Sequence, residues 1–288
     1  MSLLKEEELI DILPKDGPTA REVKKYLKKY NDEFIVIKCG GSVLIEPNLY
    51  EIFIQDVAIL KKLGFRPIVV HGGGKRINKK LNELNTKSNF INGLRVTDKN
   101  IISIVENVLI DFNKEIVESL KDKNCKAQRI TSKEKNIIKV EPESYELGFV
   151  GTPTKINSSI VKEITEHDEV AVIAPLGLDD KNQTYNINAD TAAGSIAKEL
   201  KARRLLIISD VEGVLDKNNE LITEINSIKA KEMIDKKIIS GGMIPKINNC
   251  LDVAGNGVKG VVIIDGRKNH SILFELLSDK GSGTLIRE

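Results

Sequence analysis

The stretch Phe34-Ile35-Val36-Ile37-Lys38-Cys39-Gly40-Gly41-Ser42 constrains the fold more than any other. Four apolar residues in a row read as a strand buried on both faces of a sheet. Such a strand delivers Lys38 to the rim of the sheet. The glycines that follow carry no Cβ, so backbone N–H groups can approach a ligand closely. A fixed positive charge beside bare amides is a device for holding phosphate.

The next segments repeat the pattern. Leu49, Ile52, Phe53, Val57 and Leu60 recur at helical spacing, and Gly64 suits the C-terminal cap. Pro67-Ile68-Val69-Val70 is a second buried strand, running into His71-Gly72-Gly73-Gly74 and a further helix. Strand, helix, strand with glycines at the strand ends is a βαβ unit with a parallel sheet, whose ligands sit beyond the carboxyl ends of the strands. Residues 98–121 read as one long helix, 125–151 as a hairpin excursion and 155–166 as a helix. Buried strands are expected at Glu169–Pro175, Leu205–Ser209 and Val261–Asp265, with helices from Asp190 to about Lys201 and from about Ile244. The whole is an α/β chain, a three-layer αβα sandwich with a mostly parallel central sheet. Gly177–Tyr185, rich in Asp and amides, is the best candidate for a boundary between two lobes, 32–178 and 179–288. Residues 1–31 form a separate helical unit, broken by Pro14, Gly17 and Pro18. In it Thr19 caps a helix running to roughly Tyr30, with Glu22 as capping-box partner. That unit is either a tail lying on its own domain or an arm toward another subunit.

Composition excludes several classes. With 288 residues the chain can bury a substantial core. The 44 basic and 42 acidic residues balance to +2, which gives no electrostatic reason for nucleic acid or an anionic membrane as partner. Cys39, Cys125 and Cys250 are widely spaced and odd in number, so they form neither a disulfide framework nor a metal cluster and suit a reducing cytosol. No metal-ligand set is expected. The N-terminal stretch lacks the apolar core of a signal peptide, and a cytoplasmic location is the expectation.

The remaining motifs each carry a bland and a sharp interpretation. His71-Gly72-Gly73-Gly74-Lys75-Arg76 lacks P-loop spacing, and Gly255-Asn256-Gly257-Val258-Lys259-Gly260 lies after a helix instead of after a strand, so neither famous phosphate signature applies. Three consecutive glycines exceed the needs of a turn and favour an anion-binding nest. His71 is assigned no catalytic role. Asn92-Gly93-Leu94-Arg95-Val96-Thr97-Asp98 offers a planar guanidinium to a carboxylate. Asn186-Ile187-Asn188-Ala189-Asp190 sits at a helix start, where a cap needs only one of its polar side chains. In Gly241-Gly242-Met243-Ile244-Pro245-Lys246, a lysine on a first helical turn opposes the dipole unless an anion sits there. Ser209-Asp210-Val211-Glu212-Gly213-Val214 follows a buried strand, the usual place for a nucleotide.

Taken in order and spacing, IKCGGS, VHGGG, NGLRVTD, NINAD, ISDVEGVL and GGMIPK resemble the amino acid kinase family, from about residue 30 to the C-terminus. The GLRVTD segment narrows the resemblance to members acting on N-acetyl-L-glutamate. The resemblance implies ATP-dependent phosphorylation of that substrate's γ-carboxylate, with Mg²⁺ travelling on ATP. It implies that Lys38 and Lys246 stabilise the transferring phosphoryl group and that Asp190 holds both lysines. Gly40, Gly41, Gly73 and Gly74 would supply N–H groups to phosphate and substrate. Arg95 would grip the α-carboxylate, with Asn186 and Asn188 on the acetylamino acid. Ser209, Asp210, Gly213 and Leu215 would lie on the nucleotide side. The leader and the C-terminal run resemble the arginine-inhibited members, hexamers built as trimers of dimers. This implies feedback inhibition by L-arginine, with His270, Glu275 and Gly283 as contacts. Cys39 departs from the apolar or Tyr residue expected there, which exposes the site to thiol reagents. The alternatives are a kinase of the same family acting on glutamate, aspartate or carbamate, and a non-catalytic arginine-binding regulator.

Overall fold

The computed structural model describes residues 5–288. In chain order the elements are α1 (Glu6–Ile12), α2 (Ala20–Tyr30), β1 (Phe34–Cys39), α3 (Pro47–Lys62), β2 (Arg66–His71), α4 (Gly74–Glu83), β3 (Phe90–Ile91), β4 (Leu94–Arg95) and α5 (Lys99–Asp122). There follow β5 (Ala127–Ile130), β6 (Ile138–Pro142), β7 (Gly151–Ile156), α6 (Ser158–Glu166), β8 (Val170–Ile173), β9 (Leu176–Leu178), β10 (Thr184–Asn186) and α7 (Ala189–Leu200). The chain ends with β11 (Arg204–Ser209), β12 (Glu224–Ile225), α8 (Ser227–Asp235), α9 (Met243–Gly255), β13 (Val261–Asp265), α10 (Ser271–Leu277) and β14 (Gly283–Ile286).

The main sheet has eight strands in the order β12-β14-β13-β11-β1-β2-β8-β5. Only the β13–β14 pair is antiparallel; the other neighbours run parallel. β1 sits between β2 and β11, which explains its apolar run: both faces are covered. Val36 packs with Ile68, Val70, Leu205 and Ile207 under α7 and α9. Ile35 and Ile37 pack with Val69, Leu206 and Ile208 under α3, the end of α5 and α10. Each such side chain contributes roughly 1.5–3 kcal/mol by leaving water. The result is the three-layer α/β sandwich with helices on both sheet faces.

A second sheet, β10-β9-β6-β7, holds the expected hairpin excursion in its β6–β7 pair. Gly177–Tyr185 spans the end of β9, a turn and the start of β10. Asp179 closes that turn by accepting the N–H groups of Lys181 and Gln183 at 2.8 Å each. The long helix begins at Lys99, with Asp98 as N-cap accepting from Asn100 and Ile101. Among the described residues no helix is long and apolar enough to cross a membrane.

At the N-terminus the capping box forms as expected: Glu22 N–H donates to Thr19 Oγ1, and Thr19 N–H to the Glu22 carboxylate. In this chain the segment lies on its own domain. Leu9, Val23, Leu27 and Tyr30 are buried in the core shared with α3 and α10, and Lys25 and Tyr26 both reach Asp279 at 2.7 Å.

Candidate active site

β11, β1 and β2 are neighbours, so their carboxyl ends bring together Gly40–Ser42, Gly72–Gly74 and Ser209–Asp210. Beside them lies a cleft of about 270 Å³, lined by Lys38, Gly40, Gly41, Gly73, Gly74, Arg95, Asn186, Asn188 and Asp190. Lys246 does not itself line the cleft; it meets the site through Asp190, 3.5 Å from that carboxylate.

Asp190 is the hinge of the arrangement. Asn188 caps α7 by accepting the N–H groups of Asp190 (2.9 Å) and Thr191 (3.2 Å). This fixes Asp190 on the first turn, where the helix dipole favours a carboxylate. One Asp190 oxygen lies 3.0 Å from Lys38 Nζ and the other 3.5 Å from Lys246 Nζ. Burial opposes ionisation of Asp190, but the two ammonium groups outweigh it and hold the carboxyl below its ordinary range. The dipole mismatch of Lys246 at the start of α9 is thereby resolved: the Asp190 carboxylate sits there. Two cations share one carboxylate, so the cluster keeps a net positive charge for an incoming anion.

The glycines have two different physical reasons. A Cβ on Gly40 would strike the Lys38 ammonium, and one on Gly41 (φ +67°) would strike the Asp210 carboxylate. In the second cluster Gly72 donates its N–H to the Cys39 carbonyl at 2.7 Å, which ties the two glycine turns together. Among the described residues, the N–H groups of Gly40, Gly41, Gly73 and Gly74 have no protein acceptor. They remain donors for an anion, and those of Gly41 and Gly74 are also helical N-terminal amides.

At the other end of the cleft Arg95 is buried (6% exposed) on the short β3–β4 hairpin. Asn78 Oδ1 accepts from its Nη2 at 2.7 Å, Ser88 Oγ accepts from Nη1, and its guanidinium lies 4.7 Å from the Phe90 ring centre. These contacts orient the guanidinium and leave further N–H groups for a carboxylate. Asn186 donates to Thr97 Oγ1 at 3.5 Å. Asn188 spends only its carbonyl oxygen on the cap, and its amide NH₂ is left over.

Across the Gly40–Gly41 turn, Asp210 accepts the Ser42 N–H at 2.7 Å. Burial opposes its ionisation, and the Ser42 hydrogen bonds together with nearby Lys75 overcome it, lowering the pKa. Ser209 ends β11, and its carbonyl accepts Gly266 N–H at 2.9 Å. A Cβ on Gly213 (φ +135°) would strike Thr284, and Leu215 bridges to Leu221; neither they nor Ser209 and Asp210 line the cleft.

His270, Glu275 and Gly283 lie apart from the cleft. His270 is held between Asp56 (2.6 Å) and Asp16 (3.2 Å), and its hydrogen bond to Asp56 raises its pKa. Burial raises the Glu275 pKa, and its carboxylate accepts Ser282 N–H at 2.8 Å. Gly283 has no room for a Cβ against the Ile263 carbonyl.

One expectation is overturned. Cys39 does not expose the site to thiol reagents: its side chain alternates away from Lys38, is fully buried, and burial drives its pKa upward. His71 is structural. Asn113 Nδ2 donates to its Nε2 (3.1 Å), so Nδ1 carries the proton toward the Gly72 carbonyl (3.0 Å). Desolvation lowers its pKa to about 4.

Four residues near the cleft are given no role by the sequence motifs. Asn78 and Ser88 orient Arg95. Arg76 is locked by a two-pronged pair with Glu115 (2.6 and 2.8 Å) over the Phe112 ring. Lys75 lines the cleft beside Arg76. Their signal was the position of Lys75-Arg76 on a first helical turn, the same feature that singled out Lys246.

The profile of the amino acid kinase family matches residues 33–265. The chain is 74% identical, over the full length of both proteins, to acetylglutamate kinase of Pelagibacter ubique (strain HTCC1062). A solved structure from Streptococcus mutans UA159 superposes with TM-score 0.72 at 32% identity, covering 88% of this chain and 98% of the other. N-acetylglutamate synthase from Neisseria gonorrhoeae, solved with coenzyme A and N-acetyl-glutamate, superposes with TM-score 0.84 at 20% identity. That match covers 93% of this chain but 62% of the synthase chain, and at this identity it speaks to the fold alone.

Proposed function

This chain belongs to the amino acid kinase family, and from that membership we propose that it transfers the γ-phosphoryl group of ATP to the γ-carboxylate of N-acetyl-L-glutamate. The product is N-acetyl-L-glutamyl 5-phosphate, an intermediate of arginine biosynthesis. Full-length identity of 74% to acetylglutamate kinase of Pelagibacter ubique supports the substrate assignment. The observation that carries the chemistry is the joint grip of Lys38 and Lys246 on Asp190 beside unpaired glycine amides.

The acceptor is already a carboxylate, so it needs no general base. The difficulty is bringing one anion against another, and positioning with charge neutralisation supplies most of the rate. Lys38 and Lys246 neutralise the migrating phosphoryl group from either side of Asp190, which keeps both ammonium groups aimed. Gly40 and Gly41 donate to the phosphates, and Ser209, Asp210, Gly213 and Leu215 form the nucleotide side. Gly73 and Gly74 donate to the acceptor end, Arg95 takes the α-carboxylate, and the amides of Asn186 and Asn188 hold the acetylamino group. Magnesium would travel in on ATP, whose phosphates supply much of the ion's coordination; among the described residues no cluster of three or more acidic, His or Cys side chains is placed to hold it.

The reading extends to regulation and assembly. We assign L-arginine as a feedback inhibitor bound near His270, Glu275 and Gly283. The N-terminal helices serve as contacts in a hexamer, a trimer of dimers, in the cytoplasm. The test is a phosphorylation assay profiling N-acetyl-L-glutamate against glutamate, aspartate and carbamate, with and without arginine, with mass by light scattering. Preference for the acetylated acid, inhibition by arginine and a hexameric mass are expected. Equal turnover of free glutamate would sink the substrate assignment, and arginine binding without turnover would make the chain a regulator.

A further inference from the structure

Lys75 has no part in the mechanism above, yet it sits where three strand-end loops meet. It stands on the first turn of α4, after β2. Its ammonium reaches Ser42 Oγ (3.2 Å), after β1, and Asp210 Oδ2 (3.4 Å), after β11. The other Asp210 oxygen takes the Ser42 N–H at 2.7 Å. The Gly40–Gly41 turn therefore lies between two cation–carboxylate clusters. At Gly40 a Cβ would meet the Lys38 ammonium of the Asp190 cluster; at Gly41 it would meet the carboxylate of Asp210, which Lys75 holds.

A purely structural role explains Lys75 poorly. The pair with Asp210, at 3.4 Å, has side chains 48% and 38% exposed, so it adds little to stability. A lysine on a first turn also works against the helix dipole, and the exposed Asp210 carboxylate offsets this less than the more buried Asp190 does for Lys246. The turn it stands on begins with glycines whose amides are open donors. A cation kept there at a cost, on a flexible stem, beside open amides, is placed for an anion that arrives from solution.

We propose that Lys75 is a third phosphate-binding cation, parked on Asp210 and Ser42 in this structure and transferred to the phosphate chain of the nucleoside triphosphate when it lies across Gly40–Gly41. This deepens the kinase reading and rests on it. Lys38 and Lys246 face the migrating phosphoryl group; Lys75 faces the phosphates that remain on the leaving nucleotide. Lys75 thus serves nucleotide affinity, whereas Lys246 serves the chemical step.

The experiment compares wild type, Lys75→Met and Lys75→Arg by initial rates with each substrate varied, and by calorimetric binding of a non-hydrolysable ATP analogue and of adenosine. Lys75→Met should raise KM for ATP and weaken the analogue about tenfold, the loss of one charge-assisted contact. KM for N-acetyl-L-glutamate and adenosine binding should stay within about twofold, and Lys75→Arg should recover most of the loss. Unchanged analogue affinity in Lys75→Met, or an equal rise in KM for the acceptor, overturns the assignment. A wild type that binds the analogue through Lys75 but phosphorylates no carboxylate would sink the kinase reading and leave this one standing.

Discussion

Lys38 and Lys246 contact opposite oxygens of a single carboxylate, Asp190, at 3.0 and 3.5 Å. The lysines come from a strand end and a helix start far apart in the chain, so their convergence is a product of the tertiary fold. Lys246→Ala should lower kcat at least ~100-fold, as loss of a transition-state charge does. Lys246 is only partly buried, so the melting temperature should hardly move. Steady-state kinetics with a thermal melt checks both. A near-normal kcat would remove Lys246 from the chemistry.

In the proposed reaction Arg95 is assigned to the acceptor, not to the phosphoryl group. Arg95→Ala should raise KM for N-acetyl-L-glutamate on the order of tenfold or more, as expected for a lost charge-assisted pair, with KM for ATP nearly constant. Arg95→Lys should recover little, because the orienting contacts to Asn78 and Ser88 need the planar fork. A rise confined to the ATP constant would place Arg95 on the wrong substrate.

His71 makes stability depend on pH. Its folded pKa, about 4, lies below the unfolded value of 6.5. The unfolded chain therefore binds the extra proton first as pH falls. The stabilisation is fully present above about pH 6.5 and is lost progressively toward pH 4. Between pH 7 and pH 5 the loss is about 2 kcal/mol. Denaturant unfolding of wild type and His71→Gln at the two pH values should show this difference in slope. Parallel curves would mean that the ring is already charged in the native state.

Cys39, Cys125 and Cys250 are all buried, and burial raises the pKa of each thiol. A thiol-reactive dye should label the native protein slowly and all three cysteines once it is unfolded. Rapid labelling of Cys39 with loss of activity would restore the exposure expected from sequence.

The long-range architecture was legible where the local signal was strong. The apolar runs at β1, β2, β8, β11 and β13 marked strands buried on both faces, and Thr19 with Glu22 marked a helix start to the residue. The short edge strand β12, its neighbour β14 and the short helices α8 and α10 carry too little periodicity to stand out. Gly177–Tyr185 has the composition of a turn-rich segment, and the pairing of its ends as β9 and β10 is something that only partner strands decide. In the site, Lys38 and the glycines could be read as a phosphate device from their place at a strand end. Grouping Lys38, Asp190 and Lys246 needed the family resemblance. Lys75 escaped because its glycine run lacks P-loop spacing, and its neighbour Asp210 arrives from a distant strand. Cys39 was misread because strand alternation turns it from the cleft that Lys38 faces.

The most direct test is hydroxylamine trapping of the acyl phosphate, with ATP and N-acetyl-L-glutamate, for wild type beside Lys246→Ala. Two lysines acting from either side of Asp190 predict steady hydroxamate formation by wild type and at least ~100-fold less by the variant. Equal hydroxamate from both proteins, or none from wild type, would contradict it.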